Sequence, residues 1–470
     1  MMYAAPESVG GTSQLMKADI LIRNGTILTI DVHRRIISNG AVAISDGRIV
    51  AIGDTDSLIR DFQAERTIDA RNKAVMPGLI NTHTHLYQTM LRSISDDTSL
   101  LDWWHKGVEP ALPRIRGEHC YYAALTGSLE LLKSGCTCTV DNMEPCFPTE
   151  GLPDQVVKAF IDIGIRGVEA MGAADTQRTW WSVPSESRKD TDRAIEENLK
   201  LIRKWNGEAN GRIKVWFGTS CPMACSDESL QRAHDLSREL DVGICCHLHE
   251  TKLEVDSWKK ETGLTPIQYY DRKIRFLDSN LLAVHCVWMD DEDIQVLAKR
   301  RVTVSHNPVS NMIIASGTAP LPSLLNHGVV VGLGVDGAAS NNNQDMFELM
   351  KTTALIHKAV SLDPLAITAQ QVLDMATIEG ARSIFMDKEI GSLEVGKKAD
   401  IILVNLRAIN MTPLNNLVSQ LVYCGKSWNV DTVIVDGRLI MENRVVGTVD
   451  ENAIMERTQD LAADLADRSR

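Results

Sequence analysis

The sequence predicts an α/β protein: a (β/α)8 TIM-type barrel with a small β-sandwich built from both termini. Three observations carry that expectation. Eight short β-branched runs alternate with longer amphipathic stretches through the middle of the chain. Both ends hold β-runs punctuated by Asn-Gly or Asp-Gly, a turn signal. Four of the eight central runs end in residue types that ligate metals, and a parallel barrel presents its functional groups at those strand ends.

Residues 1–17 are polar and rich in small side chains, and read as a flexible tail without the apolar stretch of a secretory signal. Residues 18–30 (ADILIRNGTILTI) and 41–53 (AVAISDGRIVAIG) read as strands, which assigns 18–75 to the first part of the sandwich. Residues 399–406 (ADIILVNL) and 430–441 (VDTVIVDGRLIM) repeat the style, so 394–470 is expected to complete the sandwich and add a terminal helix. Either half alone would expose an apolar sheet face, which makes one shared sandwich the simplest arrangement. Two separate sheets would give the same pattern.

The barrel is expected over 76–393. Its candidate strands are 75–81, 136–141, 165–171, 213–218, 242–247, 281–285, 302–306 and 329–336, with stretches such as 118–133 and 228–240 supplying helices. That alternation is the βαβ signature. Eight such units suit a closed barrel, with a doubly wound open sheet as the alternative.

Composition excludes several function classes. With 44% apolar and 24% charged residues the chain is neither disordered nor fibrous. Lys and Arg number 49 against 62 Asp and Glu, a net charge of -13, which argues against a nucleic-acid or anionic-membrane partner. Aromatic residues, at 5%, offer few platforms for stacking bases. The ten cysteines are scattered without C-x-x-C spacing, and no apolar run reaches the length of a membrane span, so a reducing, cytoplasmic location is expected.

The first central run leads into Thr82-His83-Thr84-His85, where extended backbone directs His83 and His85 to the same side and lets both imidazoles reach one ion. The fifth ends in His247-Leu248-His249-Glu250, the sixth in His285 and the eighth in Asp336. Singly, each has an ordinary reading as polar packing or a hydrogen-bonded core histidine. Jointly they form a candidate three-His, one-Asp metal site with a carboxylate beside it. His249, next to Glu250, is expected to point away from the ion and stays outside the ligand set. Asp141 and Asn142 end the second run and either face the site or cap the next helix. His306 ends the seventh run and either contacts substrate or supports Asp336. Trp103, Trp104, Trp180 and Trp181 fall in loops near the expected barrel mouth, where they either stack on a flat ring or pack the loops. Cys221 and Cys225 lack the further partners of a structural zinc site, which makes packing their expected role.

The segments PGLINTHTH (77–85), HLHE (247–250), AVHC (283–286), SHNPVSN (305–311) and GVDGAASNN (334–342) resemble those of the amidohydrolase superfamily. Within it they are similar to the branch holding methylthioadenosine/S-adenosylhomocysteine deaminases, guanine-type deaminases and s-triazine hydrolases. The resemblance runs on through EVGKKADIILVNL (394–406) and so covers nearly the whole chain. It implies that His83, His85, His247 and Asp336 bind one divalent ion, zinc or alternatively iron, with a position left for water. It also implies that Asp336 takes a proton from that water, that Glu250 delivers one to a ring nitrogen, and that His285 orients and polarises the water. Binuclear members carry a carboxylated lysine at the end of the fourth strand. This chain has WFGTSC (216–221) there, and Lys214 lies too early, so one metal per chain is expected.

The departures from the family concern the substrate. Aligning Asp102-Trp103 with the family's acidic-Trp pair puts Leu112 where nucleoside deaminases carry a ribose-binding Glu. Aligning Phe217-Gly218 puts Ser220 where they carry a substrate-contacting His. Ribose hydroxyls left unpaired would cost about 1–3 kcal/mol each. The expectation is therefore deamination of a smaller heterocycle such as an amino-substituted triazine, pyrimidine or pterin-like ring, with Glu109 as a substitute acid in a shifted register. Trp103, Asn142, Ser220 and His306 are the candidate substrate contacts. The alternatives are an s-triazine chlorohydrolase or alkylaminohydrolase, a methylthioadenosine/S-adenosylhomocysteine-type nucleoside deaminase, and a non-catalytic scaffold. A scaffold would be expected to have lost a ligand, and all four are present. The resemblance also implies a homodimer or larger homo-oligomer.

Overall fold

The computed structural model describes residues 15–143, 151–176, 190–219 and 224–466, and its strands fall into two sheets. Five strands come first: β1 (Met16–Leu28), β2 (Ile36–Ser45), β3 (Arg48–Asp54), β4 (Phe62–Asp69) and β5 (Lys73–Pro77). Eight follow in the central region: β6 (Leu79–Thr84), β7 (Cys136–Met143), β8 (Arg166–Met171), β9 (Ile213–Thr219), β10 (Ile244–Leu248), β11 (Leu281–His285), β12 (Thr303–His306) and β13 (Val331–Leu333). The last four are β14 (Ile401–Asn405), β15 (Val430–Val435), β16 (Arg438–Glu442) and β17 (Val445–Val446).

Strands from both ends of the chain form one nine-stranded sheet in the order β17-β16-β15-β14-β5-β1-β2-β3, with β4 on β1. The join is β14 against β5, where Ile401 pairs with Pro77 and Asn405 with Lys73. Ile22, Val42, Val75, Ile401 and Ile434 pack in one buried cluster, so the two halves share a core, while Leu21, Ala43, Leu58 and Phe62 of the N-terminal half pack in a second one. Two expected Asp-Gly hairpins are present, at Asp46-Gly47 (φ 51° and 74°) and Asp436-Gly437 (φ 51° and 73°). Their tips touch: a Cβ on Gly437 would lie 2.5 Å from the Gly47 Cα.

Asn24-Gly25 is not a turn, contrary to expectation. Asn24 takes φ +64° inside β1, at a break in register where β1 stops pairing with β4 and begins pairing with β5. A bulge uses the same left-handed residue as a turn without reversing the chain.

All pairs among β6–β13 are parallel and run in chain order. Every residue of β6, β7, β8, β10, β11, β12 and β13 is buried, as expected where helices cover the outside. Asp336 N–H donates to His83 O at 3.0 Å and Val335 N–H to Asn81 Oδ1 at 2.9 Å, which stitches the segment after β13 to β6. The expected eight-stranded barrel is present and the open-sheet alternative falls.

The run 75–81 proves to be two strands in two sheets. Pro77 ends β5 and Gly78 N–H donates to Asp400 O, after which β6 enters the barrel. Pro77 has no N–H to continue a ladder, and a Cβ on Gly78 would sit 2.0 Å from Thr137 Oγ1. Below the barrel, the buried Arg166 guanidinium binds Asp400 through two bonds of 2.9 Å. Lys398 pairs with Asp436 at 2.7 Å beside it, so the two sheets share a charged seam.

Candidate metal centre

The first histidine pair comes from the end of β6, which alternates faces so that residues 83 and 85 share one. His85 Nδ1 donates to the Asn142 carbonyl at the end of β7 (2.6 Å), which leaves its Nε2 as a lone pair. That Nε2 lies 3.2 Å from His247 Nε2 at the end of β10. Asp336 Oδ1 stands 3.5 Å from His83 Nε2 and 3.6 Å from His85 Nε2. Donor atoms of His83, His85 and Asp336 all lie within 4.8 Å of one another, as do those of His83, His247 and His285. Five side chains predicted from sequence thus meet at one barrel mouth.

Burial sets their protonation. Removal from water pushes His83 down to about 4 and His285 to about 3, and carries His247 well below the usual value, so each imidazole is neutral near pH 7. Burial alone would raise Asp336, but its close contact with His83 and the other surrounding histidines holds it well below the ordinary carboxylate range. Neutral imidazoles around an ionised carboxylate are the donor set a zinc-type cation requires, and two ring nitrogens 3.2 Å apart stand at the spacing of neighbouring ligands on one such ion.

Asp336 is heavily braced. Ser310 Oγ donates to Oδ2 at 2.5 Å and Gly337 N–H to Oδ1 at 2.7 Å, while Thr84 Oγ1 and Gln344 Nε2 both donate to its carbonyl. A Cβ on Gly337 would fall 1.9 Å from Gln88 Oε1, so any side chain there would displace the buried Gln88 amide. His285 is oriented by Asn311, whose Nδ2 donates to Nδ1 at 3.1 Å and leaves the proton on Nε2. That Nε2 faces Glu250 Oε2 at 3.7 Å and Asp336 Oδ2 at 4.0 Å. His249, His285, Cys286 and Asp336 all have φ between +50° and +73°, so backbone strain gathers at these strand ends.

The remaining candidates divide. Asn142 is fully buried and neither end of its side-chain amide has a hydrogen-bond partner, so it is available to a ligand. His306 pairs with His357 through the two Nε2 atoms at 2.9 Å. Trp103 is buried and donates from Nε1 to Ala339 O at 2.7 Å, linking the first loop to the segment after Asp336. His249 Nδ1 donates to Trp288 O, which keeps it out of the cluster as expected. Leu112 is buried in the apolar core and Glu109 binds His105 at 2.6 Å. Cys225 is buried and its Sγ donates to the Ala173 carbonyl at 3.0 Å. Ser220, Cys221, Trp180 and Trp181 lie outside the described residues. A cavity of about 280 Å³ is lined by Leu100, Leu101, Thr251, Leu253, Trp288 and Ile314, on the segments after β6, β10, β11 and β12.

Sequence reasoning assigned no role to Ser310, Asn311 or Gln344. The first two stand in the SHNPVSN segment, four and five residues past the end of β12, where a turn brings them back over Asp336 and His285. Gln344 carries no such signal, since its role depends on contact with Thr84, distant in sequence.

Comparison with known proteins adds to this geometry. Residues 74–440 match the amidohydrolase family, and residues 40–62 match a bacterial imidazolonepropionase-like composite domain. The chain is 38% identical to a 5'-deoxyadenosine deaminase of Methanosarcina acetivorans, over 96% of this chain and 99% of that one. It is 39% identical to a 5-methylthioadenosine/S-adenosylhomocysteine deaminase of Pelotomaculum thermopropionicum, over 96% and 100%. Among solved structures it resembles a zinc-bound adenosine deaminase from Xanthomonas campestris (TM-score 0.87, 30% identity, 96% of this chain and 99% of that one). It also resembles the zinc complex of the atrazine chlorohydrolase TrzN from Arthrobacter aurescens (TM-score 0.88, 25% identity, 94% and 100%).

Proposed function

The chain belongs to the amidohydrolase family, and from that premise we propose that it removes the amino group from a nitrogen heterocycle by hydrolysis at a single divalent metal ion. It is a hydrolase acting on C–N bonds, of the deaminase type. The observation that carries the reading is the meeting of His83, His85, His247, His285 and Asp336 at one barrel mouth with Glu250 beside them.

His83, His85, His247 and Asp336 would hold the ion, zinc in the first instance and iron as the alternative. When bound, it supplies a water acidic enough to act as nucleophile near neutral pH. Asp336, kept ionised, would accept a proton from the attacking water at its carboxylate. His285 steers the nucleophile through its Nε2–H. Glu250 carries a proton to the ring nitrogen next to the amino-bearing carbon, so that carbon can take a C–O bond without placing a full charge on the ring. The C–N bond then breaks with a second proton passed to nitrogen, releasing ammonia. Asn142, Trp103, Ser220 and His306 are retained as the residues proposed to line the substrate.

An adenine ring on a 5'-deoxygenated sugar is the first candidate substrate, because relatives of 38–39% identity over 96% of this chain are named for such compounds. One observation favours a second reading: Leu112, aligned with a ribose-binding acid, is buried among apolar side chains. That suits a free base or an s-triazine, where the leaving group is ammonia, an alkylamine or chloride. The test offers zinc-loaded protein 5'-deoxyadenosine, methylthioadenosine, adenine and amino- and chlorotriazines while ammonia, amine and chloride are measured. Ammonia from the nucleosides supports the first reading and release from bases or triazines alone the second. No release from any of them overturns deamination.

The proposal extends to a cytoplasmic homodimer or larger homo-oligomer with a sandwich over 18–77 and from 394 onward, a barrel over 78–393, and neither nucleic acid nor membrane as partner. Free thiols at every described cysteine, the net charge of -13 and the lack of a described helix long and apolar enough to cross a membrane support these points. Light scattering and limited proteolysis test them.

A further inference from the structure

We infer that Glu254 is a positioning residue for Glu250, holding the turn that His249 in turn ties to the segment after β11. The inference rests on the proton-carrying role of Glu250 proposed above.

β10 ends at Leu248, so nothing in the barrel ladder fixes the backbone that carries Glu250. His249 turns that backbone sharply with φ +55°. Two side chains then hold it. The Glu254 carboxylate is 4% exposed and accepts from His249 N–H at Oε1 (3.1 Å) and from Glu250 N–H at Oε2 (2.9 Å), with the Thr251 N–H also bonded to it. His249 ties the same turn to the next loop. Its carbonyl accepts from Val287 and Trp288 N–H, both at 3.0 Å, and its Nδ1 donates to Trp288 O at 2.9 Å. The Ile267 N–H closes on its Nε2 at 3.3 Å. Trp288 lies three residues past His285, so one braced turn carries Glu250 and is tied to the loop that carries His285, the pair that faces across 3.7 Å.

The plainer role for Glu254 is half of a helix cap. It sits third in the helix Lys252–Thr262, and its own N–H donates to the hydroxyl of the capping Thr251 at 3.2 Å. A cap alone requires no bonds to His249 and Glu250, which lie outside that helix. The two roles separate by mutation. Glu254→Gln places an amide NH2 where one of the backbone donors needs an acceptor. Thr251→Ala removes the hydroxyl half of the cap and leaves the carboxylate contacts in place.

The experiment uses zinc-loaded full-length protein, with 5'-deoxyadenosine as probe and ammonia release as readout. Glu254→Gln is expected to lower kcat by about 10–100-fold, the usual size for an outer-shell partner. Zinc content and KM should stay close to wild type, and Thr251→Ala should keep most of the rate. In a Glu250→Gln background the second substitution should cost almost nothing, because the two act on one step. A full additional loss in that background, equal losses in Thr251→Ala and Glu254→Gln, or a wild-type rate in Glu254→Gln would overturn the inference. A wild-type rate in Glu250→Gln would instead remove the proton-carrying role on which it rests. A measurement independent of substrate runs beside these: amide hydrogen exchange across 249–251 should quicken in Glu254→Gln and in the shorter Glu254→Asp but not in Thr251→Ala. Unchanged protection in both Glu254 variants would also overturn it.

Discussion

His85 and His247 stand on different barrel strands with ring planes 5° from parallel and Nε2 atoms 3.2 Å apart. The His85 proton is committed to the Asn142 carbonyl at Nδ1, so this close approach brings a lone pair to face its neighbour. That spacing suits two ring nitrogens ligating one cation, with donors of His83 and Asp336 alongside. Chelation should therefore abolish turnover and lower Tm, and about one zinc per chain should restore both. Asp336→Ala should lose metal and rate together. Elemental analysis with calorimetry checks this, and an apoprotein as stable and as active as the zinc form would contradict it.

Glu250 faces the His285 imidazole and is proposed to move a proton rather than to bind the ion. Glu250→Gln should keep its zinc and lose about 10²–10⁴-fold in kcat, the span usual for general acid–base catalysis. Loss of zinc on this substitution would place Glu250 among the ligands instead.

Asn311 decides which nitrogen of His285 carries the proton. Asn311→Asp replaces the donor with an acceptor, pulls the proton to Nδ1, and should reduce kcat more than Asn311→Ala does, with zinc retained in both. Steady-state rates of the two variants at equal metal content decide it. Equal rates would mean that the tautomer of His285 does not matter to the reaction.

Burial pushes His357 down to about 4 from 6.5. The unfolded chain binds a proton near 6.5 and the folded chain only near 4, so between those values the unfolded state holds more protons. Stability therefore rises with pH across that window and is lost as pH falls through it, by at most about 1.4 kcal/mol per pH unit from this group. His357→Gln keeps a polar partner for His306 while removing the titration, so its Tm should fall less than the wild type's between pH 6.5 and 4. Parallel melting curves would exclude His357 from the acid sensitivity.

Most of the site was legible because a parallel barrel converts position into location. Once eight runs are found, the ends of the first, fifth, sixth and eighth must share one rim, and His83, His247, His285 and Asp336 follow. The bracing was not legible. Ser310 and Asn311 act through a turn whose direction depends on packing, and Gln344 through contact with Thr84, 260 residues away. The missed boundary at Pro77-Gly78 has a similar origin. A continuous apolar run does not say that its two halves belong to different sheets, although proline beside glycine marked the point. Asn24-Gly25 misled because φ > 0 serves a bulge as well as a hairpin.

The pairing of β5 with β14 also bears on the order in which the protein acquires its parts during synthesis. Every residue of the candidate metal centre is in the chain once Asp336 is made, yet Pro77 cannot pair until Ile401 follows. A nascent chain at that stage holds all its ligands while Val75 and Met76, which lead directly into the strand bearing His83 and His85, form an uncovered edge. Closing a loop of that length is slow and entropically costly, so the ligand strand gains its last support late. An ion captured at that stage would hold the strand of His83 and His85 in the barrel while its leading edge waits for β14, which ties metal supply to folding as well as to activity.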